Sequence, residues 1–130
     1  MEFLQPPSWP RPKGYSNGTA ASGRLVVTAG VVGWNEREEW ESDDFVAQLR
    51  QTLQNIKAIL AEAGAEPAHV VRLTWYVINK REYLDRIREV GAVYREVMGK
   101  HFPAMAVLEV KGLMEDRAKV EIEATAVVPE

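Results

Sequence analysis

Residues 118–128 alternate without a break: Val120, Ile122, Ala124 and Ala126 fall on one side, Lys119, Glu121, Glu123 and Thr125 on the other. A period of two over this length is the mark of a β-strand with one buried and one polar side. Such a strand needs a layer to pack against, and the chain supplies two amphipathic helices. Over residues 44–63, Phe45, Leu49, Leu53, Ile56, Leu60 and Ala63 recur at helical spacing. Ser42 or Asp43 is placed to cap its start, and Gly64 to end it. A second helix is expected over about 81–98, with Leu84, Ile87, Val90, Tyr94 and Val97 as its stripe. Asn79 and Glu82 read as its capping box, and Gly99 followed by Pro103 closes it.

Further strands are expected at 24–29, 70–78 and 105–110. Gly30 and Gly33 bracket Val31-Val32, a pattern of close backbone packing, a bulge or a ligand's approach. The acidic stretch 35–44 reads as a solvated loop around Trp34 and Trp40. Residues 1–14, with Pro6, Pro7, Pro10 and Pro12, read as an extended lead-in pinned by Phe3 and Trp9. The order ββαβαββ specifies an α+β domain over 1–130, a mixed sheet with two helices on one face. Helices on one face leave the other bare. Alternation puts Val71, Leu73, Trp75 and Val77 opposite Val70, Tyr76 and Ile78, and Ala106, Leu108 and Val110 opposite Met105 and Val107. Both sides of these strands are apolar, so a homo-oligomer that buries the bare face is expected.

Length and charge narrow the functions. At 130 residues the chain makes one domain. A net charge of −3 offers no basic surplus for a phosphate backbone, so nucleic acid is not an expected partner. The absence of cysteine removes a thiolate nucleophile and a Cys-ligated zinc site. No apolar run approaches the ~20 residues of a membrane span. The prolines near the start break any signal-peptide core, so no membrane partner and a cytoplasmic location are expected. His69 and His101 stand far apart; a surface role and a helix-end role respectively are expected, without metal. Glu109, Glu121 and Glu123 interrupt apolar strands. A carboxylate there is either a cross-strand ion-pair partner of Lys111, Lys119 or Arg72, or a general acid or base.

In order and spacing, several segments resemble the RidA/YjgF family of reactive-intermediate deaminases. They are GYSNG at 14–18, LVVTAG at 25–30, QTLQNIKAILAEAGA at 51–65, HVVRLTWYV at 69–77, VGAVYREV at 90–97, HFPAMAVLEV at 101–110 and KVEIEATAVV at 119–128. The resemblance implies a chorismate-mutase-like subunit, three of which close their sheets into a barrel with the helices outside. It implies small-molecule ligands in clefts between subunits, and hydrolysis of imines or enamines to carbonyl compounds and ammonia without a cofactor. It places Tyr15, Ala29, Gly30, Gly91, Met105 and Val107 at the cleft and Glu121 as the residue that handles water; Trp34 is a candidate wall.

Several of these positions depart from the family pattern. Active members carry an arginine where this chain has Met105, a cysteine at Val107, a serine at Ala29 and an asparagine at Gly91. Tyr15 and Glu121 match, the latter with one extra residue in the loop 112–118. A thioether cannot replace the bidentate grip of a guanidinium on a carboxylate. The usual amino-acid-derived imines are therefore expected to bind poorly, and a larger, less charged or aromatic ligand to fit better. Two readings remain: a divergent imine hydrolase, or a non-catalytic sensor or interaction module on the same scaffold.

Overall fold

The computed structural model describes residues 1–130. The alternating segment forms β7 (Val120–Val128), the most connected strand of a five-stranded sheet. Along one side of β7 run β3 (Arg24–Val27) and β4 (Val31–Val32), both antiparallel to it. Along its other side lies β5 (Val70–Val77), also antiparallel, and the edge strand β6 (Ala104–Glu109) is parallel to β5. The parallel pair requires a crossover, and the helical segment between β5 and β6 provides it. A separate ribbon joins β1 (Glu2–Phe3) to β2 (Thr19–Ala20).

The helices cover one face only. Phe45, Leu49, Leu53, Ile56 and Leu60 of α1 (Phe45–Ala61) are buried against Val120, Ile122, Ala124 and Ala126 of β7 and Leu73, Trp75 and Val77 of β5 in one core cluster. The helix ends before Ala63, and Ala65 is the residue that closes the stripe. Its N-cap is Asp44 rather than Ser42 or Asp43: the Asp44 carboxylate accepts from the Ala47 amide at 3.0 Å, and Ser42 Oγ instead accepts from the Asp44 amide. Gly64 sits beyond the end with φ +70°, the left-handed value that glycine tolerates.

The expected second helix is two helices. α2 (Lys80–Asp85) and α3 (Ile87–Met98) meet at Arg86, whose backbone leaves the helical region at φ −112° and ψ 23°. The guanidinium of Arg86 donates to Asp44 at 2.6 Å and to Glu89 at 2.7 Å, anchoring the break to the start of α1. The break ends the single stripe. Val90, Tyr94 and Val97 are buried, but Leu84 and Ile87 stay exposed. Asn79 caps α2 through the Glu82 amide, and Gly99 ends α3 with φ +75°.

Strand expectations shift where a bulge intervenes. β5 pairs Val70 with Ala126 and Arg72 with Thr125, so Val71 is the extra residue. The bulge turns Val70 to the core side with Leu73, Trp75 and Val77, the place alternation assigns to Val71. Gly33 is a close approach: a Cβ there would meet the α1 backbone, 2.9 Å from Cα of Gln48. In the lead-in, Phe3 lies edge-on to His101 at 5.8 Å, whereas Trp9 is exposed and pins nothing. The face away from the helices is open; Leu25, Val27 and Leu108 lie on it and are exposed.

Candidate functional site

A cleft of about 450 Å³ opens between the edge strand β6, the two crossover helices and the chain at 13–15. Three local features build it. Ser16 is bridged to Ala104: its amide donates to the Pro103 carbonyl at 3.0 Å and its hydroxyl to the Phe102 carbonyl at 2.5 Å. That bridge lays Lys13, Gly14 and Tyr15 along the cleft, with Gly14 at φ +79° making the turn. On β6, alternation turns Met105 and Val107 inward, in register with Leu73 and Trp75 of β5. On α3, Val90, Gly91, Tyr94 and Arg95 share the facing side at helical spacing.

The lining is mostly apolar and rich in rings. Tyr94 stacks on Phe102 at 5.6 Å, and Trp75 meets Tyr83 edge-on at 6.4 Å and lies tilted against Tyr94 at 6.2 Å. The Tyr94 hydroxyl donates to the His101 carbonyl at 2.5 Å. Burial pushes the hydroxyls of Tyr94 and Tyr83 above the ordinary tyrosine value of 10, so both stay protonated near neutral pH and neither is a base. The indole N–H of Trp75 is buried without an acceptor. The charged lining residues are Lys13 and Arg95, and no carboxylate is among the lining residues.

Of the residues named from sequence, Tyr15, Gly91, Met105 and Val107 come together in this cleft. Glu121 does not. It sits on the helix-free face of β7, opposite Val32 and Tyr76. Its carboxylate lies over Gly30, so close that a Cβ at 30 would fall 2.9 Å from Cδ. Ala29 and Gly30 are therefore with Glu121, not with Met105. Trp34 is in neither place. It packs on Trp40 at 5.6 Å, with Arg117 over the Trp40 ring, and Asn55 donates to its carbonyl at 2.7 Å. Within its own chain it anchors the loop and does not line this cleft.

The other glutamates are engaged differently from the expected cross-strand ion pairs. Glu109 accepts from the Lys80 amide at 2.7 Å, at the start of α2. Glu123 accepts from the Tyr76 hydroxyl at 2.8 Å, and this bond raises the Tyr76 pKa. Lys119 reaches Glu82 instead, at 3.8 Å. The histidines bond to backbone: His69 Nδ1 accepts from the Glu66 amide at 3.0 Å, and His101 Nε2 lies 2.7 Å from the Val70 carbonyl. His101 thus ties the chain before β6 to β5 rather than serving the end of α3. No group of three or more His, Asp or Glu side chains assembles at metal-binding distance.

Sequence reasoning missed Tyr83, Phe102, Lys13 and Arg95 as cleft residues, and it assigned Trp75 and Tyr94 to packing alone. One signal was available: Gly91 and Arg95 stand four apart on α3, where a glycine leaves room for the longer neighbour.

Comparison with known proteins covers the same ground. The sequence profile of the family described as Endoribonuclease L-PSP matches residues 9–128. The 2-iminobutanoate/2-iminopropanoate deaminase of Escherichia coli K12 is 34% identical over 108 residues, spanning 81% of this chain and 80% of that protein. A RutC family protein of Haemophilus influenzae is 36% identical over 105 residues, 81% and 80% of the two chains. Among solved structures, the conserved Rid family protein YyfB of Yersinia pestis superposes with a TM-score of 0.86 at 33% identity, over 98% of both chains. The YjgF gene product of E. coli gives 0.69 at 31% identity, also over 98% of both. By profile, sequence and fold, the chain belongs to the RidA/YjgF family.

Proposed function

We propose that this protein works as a homotrimer that binds a small organic molecule in clefts between subunits and hydrolyses an imine or enamine there. One observation carries the reading: the catalytic candidates are split across the sheet. Tyr15, Met105 and Val107 line the cleft at the β6 edge, while Glu121 lies over Gly30 on the opposite face, toward the β4 edge. No single chain can apply both sets to one molecule. A neighbouring copy that sets its β4 edge against this β6 edge brings its Glu121 to this cleft. The same contact draws the exposed Leu25, Val27 and Leu108 out of water. The deaminase names of the E. coli and Salmonella relatives agree with the chemistry.

In this reading the ligand's C=N carbon is held among the cleft's apolar side chains. The neighbour's Glu121 takes a proton from water, and the oxygen adds to that carbon. Glu121 returns that proton to the nitrogen, giving the carbinolamine. It then takes the hydroxyl proton and delivers it to the nitrogen as the C–N bond breaks, so ammonia leaves with both protons of the water and a carbonyl remains. Only water is consumed. Glu121 suits the role because no hydrogen bond or ion pair within its own chain occupies it, unlike Glu109 and Glu123.

The apolar Met105 and Val107 favour a second reading, a cleft that binds without turnover. One experiment separates the two. Imines are generated in situ from alanine and from phenylalanine, and release of the 2-oxo acid is followed with wild type and Glu121→Gln, with light scattering for assembly. Catalysis predicts acceleration by wild type and its loss in a trimeric Glu121→Gln variant. Unchanged turnover in that variant removes Glu121 from the mechanism. Absence of acceleration on both imines favours the binding reading.

A further inference from the structure

Arg95 is one of two cations beside the cleft, with Lys13, that no ion pair occupies. Three other helical arginines are committed: Arg86 holds Asp44 and Glu89, Arg50 holds Glu96, and Arg81 reaches Asp85. Arg95 takes part in none of the chain's ion pairs. It lies one helical turn beyond Gly91, and its guanidinium folds back over that glycine. A Cβ at 91 would stand 3.3 Å from Nη1 and 4.0 Å from Cζ. The missing side chain at 91 thus creates the space through which Arg95 reaches the cleft. Lys13 lines the same cleft, where no acid is among the lining residues. An unpaired guanidinium at the rim of an apolar cavity is poised for a carboxylate, which it can grip through two parallel hydrogen bonds.

The body of the ligand follows from the rest of the lining. Trp75, Tyr83, Tyr94, Phe102, Met105 and Val107 offer rings and aliphatic surface with little to hydrogen-bond. A volume of about 450 Å³ falls within the ~300–1,000 Å³ typical of sites for drug-sized ligands, far more than a three-carbon acid fills. Rings favour planar or large apolar partners in offset or edge-on contact.

We propose that Arg95, reaching across Gly91, is the carboxylate anchor of this cleft, and that the cleft selects carboxylates with an aromatic or large apolar body. The anchor comes from α3 rather than from position 105 on β6, where Met105 adds to the apolar wall. The proposal rests on the cleft being the ligand site, and the test separates the two.

Calorimetric titration of the assembled protein uses phenylpyruvate, pyruvate and the uncharged ketone phenylacetone. Phenylpyruvate should bind at least ~10-fold more tightly than pyruvate. Arg95→Gln should weaken phenylpyruvate on the order of tenfold, the effect of one charge-assisted contact, and leave phenylacetone unchanged. Arg95→Lys should recover part of that loss. Met105→Trp, which fills the cavity, should abolish binding of both aromatic probes. Equal affinity of wild type and Arg95→Gln for phenylpyruvate, with binding lost in Met105→Trp, overturns the anchor while the cleft stands. Wild-type affinity in Met105→Trp overturns the cleft itself. Pyruvate binding as tightly as phenylpyruvate, or no binding of phenylpyruvate to wild type, overturns the selectivity.

Discussion

Replacing Gln48 by methionine tests how α1 is joined to the loops around it. Gln48 is only 1% exposed, yet its amide is fully used. Nε2 donates to the carbonyls of Ser42 at 3.1 Å and Arg117 at 2.9 Å, and Oε1 accepts from the Lys119 amide at 2.8 Å. One side chain therefore ties the loop before α1 to the segment entering β7. Methionine keeps much of the volume and removes all three bonds. At about 1 kcal/mol net for each bond, the loss is roughly 3 kcal/mol. For a domain of this size that corresponds to a fall in Tm of about 10 °C. Scanning calorimetry at one fixed protein concentration measures it, because in the proposed trimer Tm would depend on concentration. Thr52→Val is the control. Thr52 is also fully buried, but its hydroxyl bonds only back to the Gln48 carbonyl at 2.8 Å inside the same helix, so about 1 kcal/mol or less is expected. A Gln48→Met loss no larger than that of Thr52→Val would refute the reasoning.

Two glycine substitutions should separate stability from activity. Gly33→Ala drives a methyl into the rigid α1 backbone at Gln48 and should cost about 1–3 kcal/mol in chemical denaturation. Gly30→Ala meets only the carboxylate end of Glu121, which can swing aside; stability should change little. Under the proposed mechanism, the shift of about an ångström in that carboxylate should lower imine turnover up to ~100-fold. The pKa of Asp44 is held below its ordinary 3.8 by the Arg86 hydrogen bond first and the Ala47 amide second. Its stabilisation is therefore fully present above about pH 4 and disappears as pH falls through the lower folded value. Asp44→Asn keeps the cap but loses the charge. With Asp44 and Arg86 both partly exposed, the stability gap to wild type should stay under about 1 kcal/mol. Thermal unfolding between pH 7 and pH 3 should show that gap constant down to about pH 5 and closing below pH 4.

Much of the layer architecture was legible in the sequence, because burial on one face leaves a periodic trace. The alternation in β7 and the α1 stripe from Phe45 to Leu60 correspond directly to the buried core. Local caps were legible where the chemistry is contained within a few residues, as at Asn79 with Glu82. The helix break at Arg86 was not, since its anchor Asp44 is distant in sequence. The bulge at Val71 was not either: strand register depends on the partner strand β7, which lies some fifty residues away.

For the site, the sequence by itself determined which side chains exist to do chemistry. It supplied three glutamates on otherwise apolar strands, no cysteine, and methionine and valine at the cleft positions of β6. Tertiary structure alone decided where those groups meet. Alternation states that Glu121 and Val120 face opposite ways, but not which face holds the cleft. Only the folded sheet, with helices on one side and its β6 edge open, separates Glu121 from Met105 and seats Arg95 over Gly91. Periodicity is a property of neighbours in the chain. Whether two groups share a ligand depends on the packing of elements far apart in sequence, and that is settled only when the core closes.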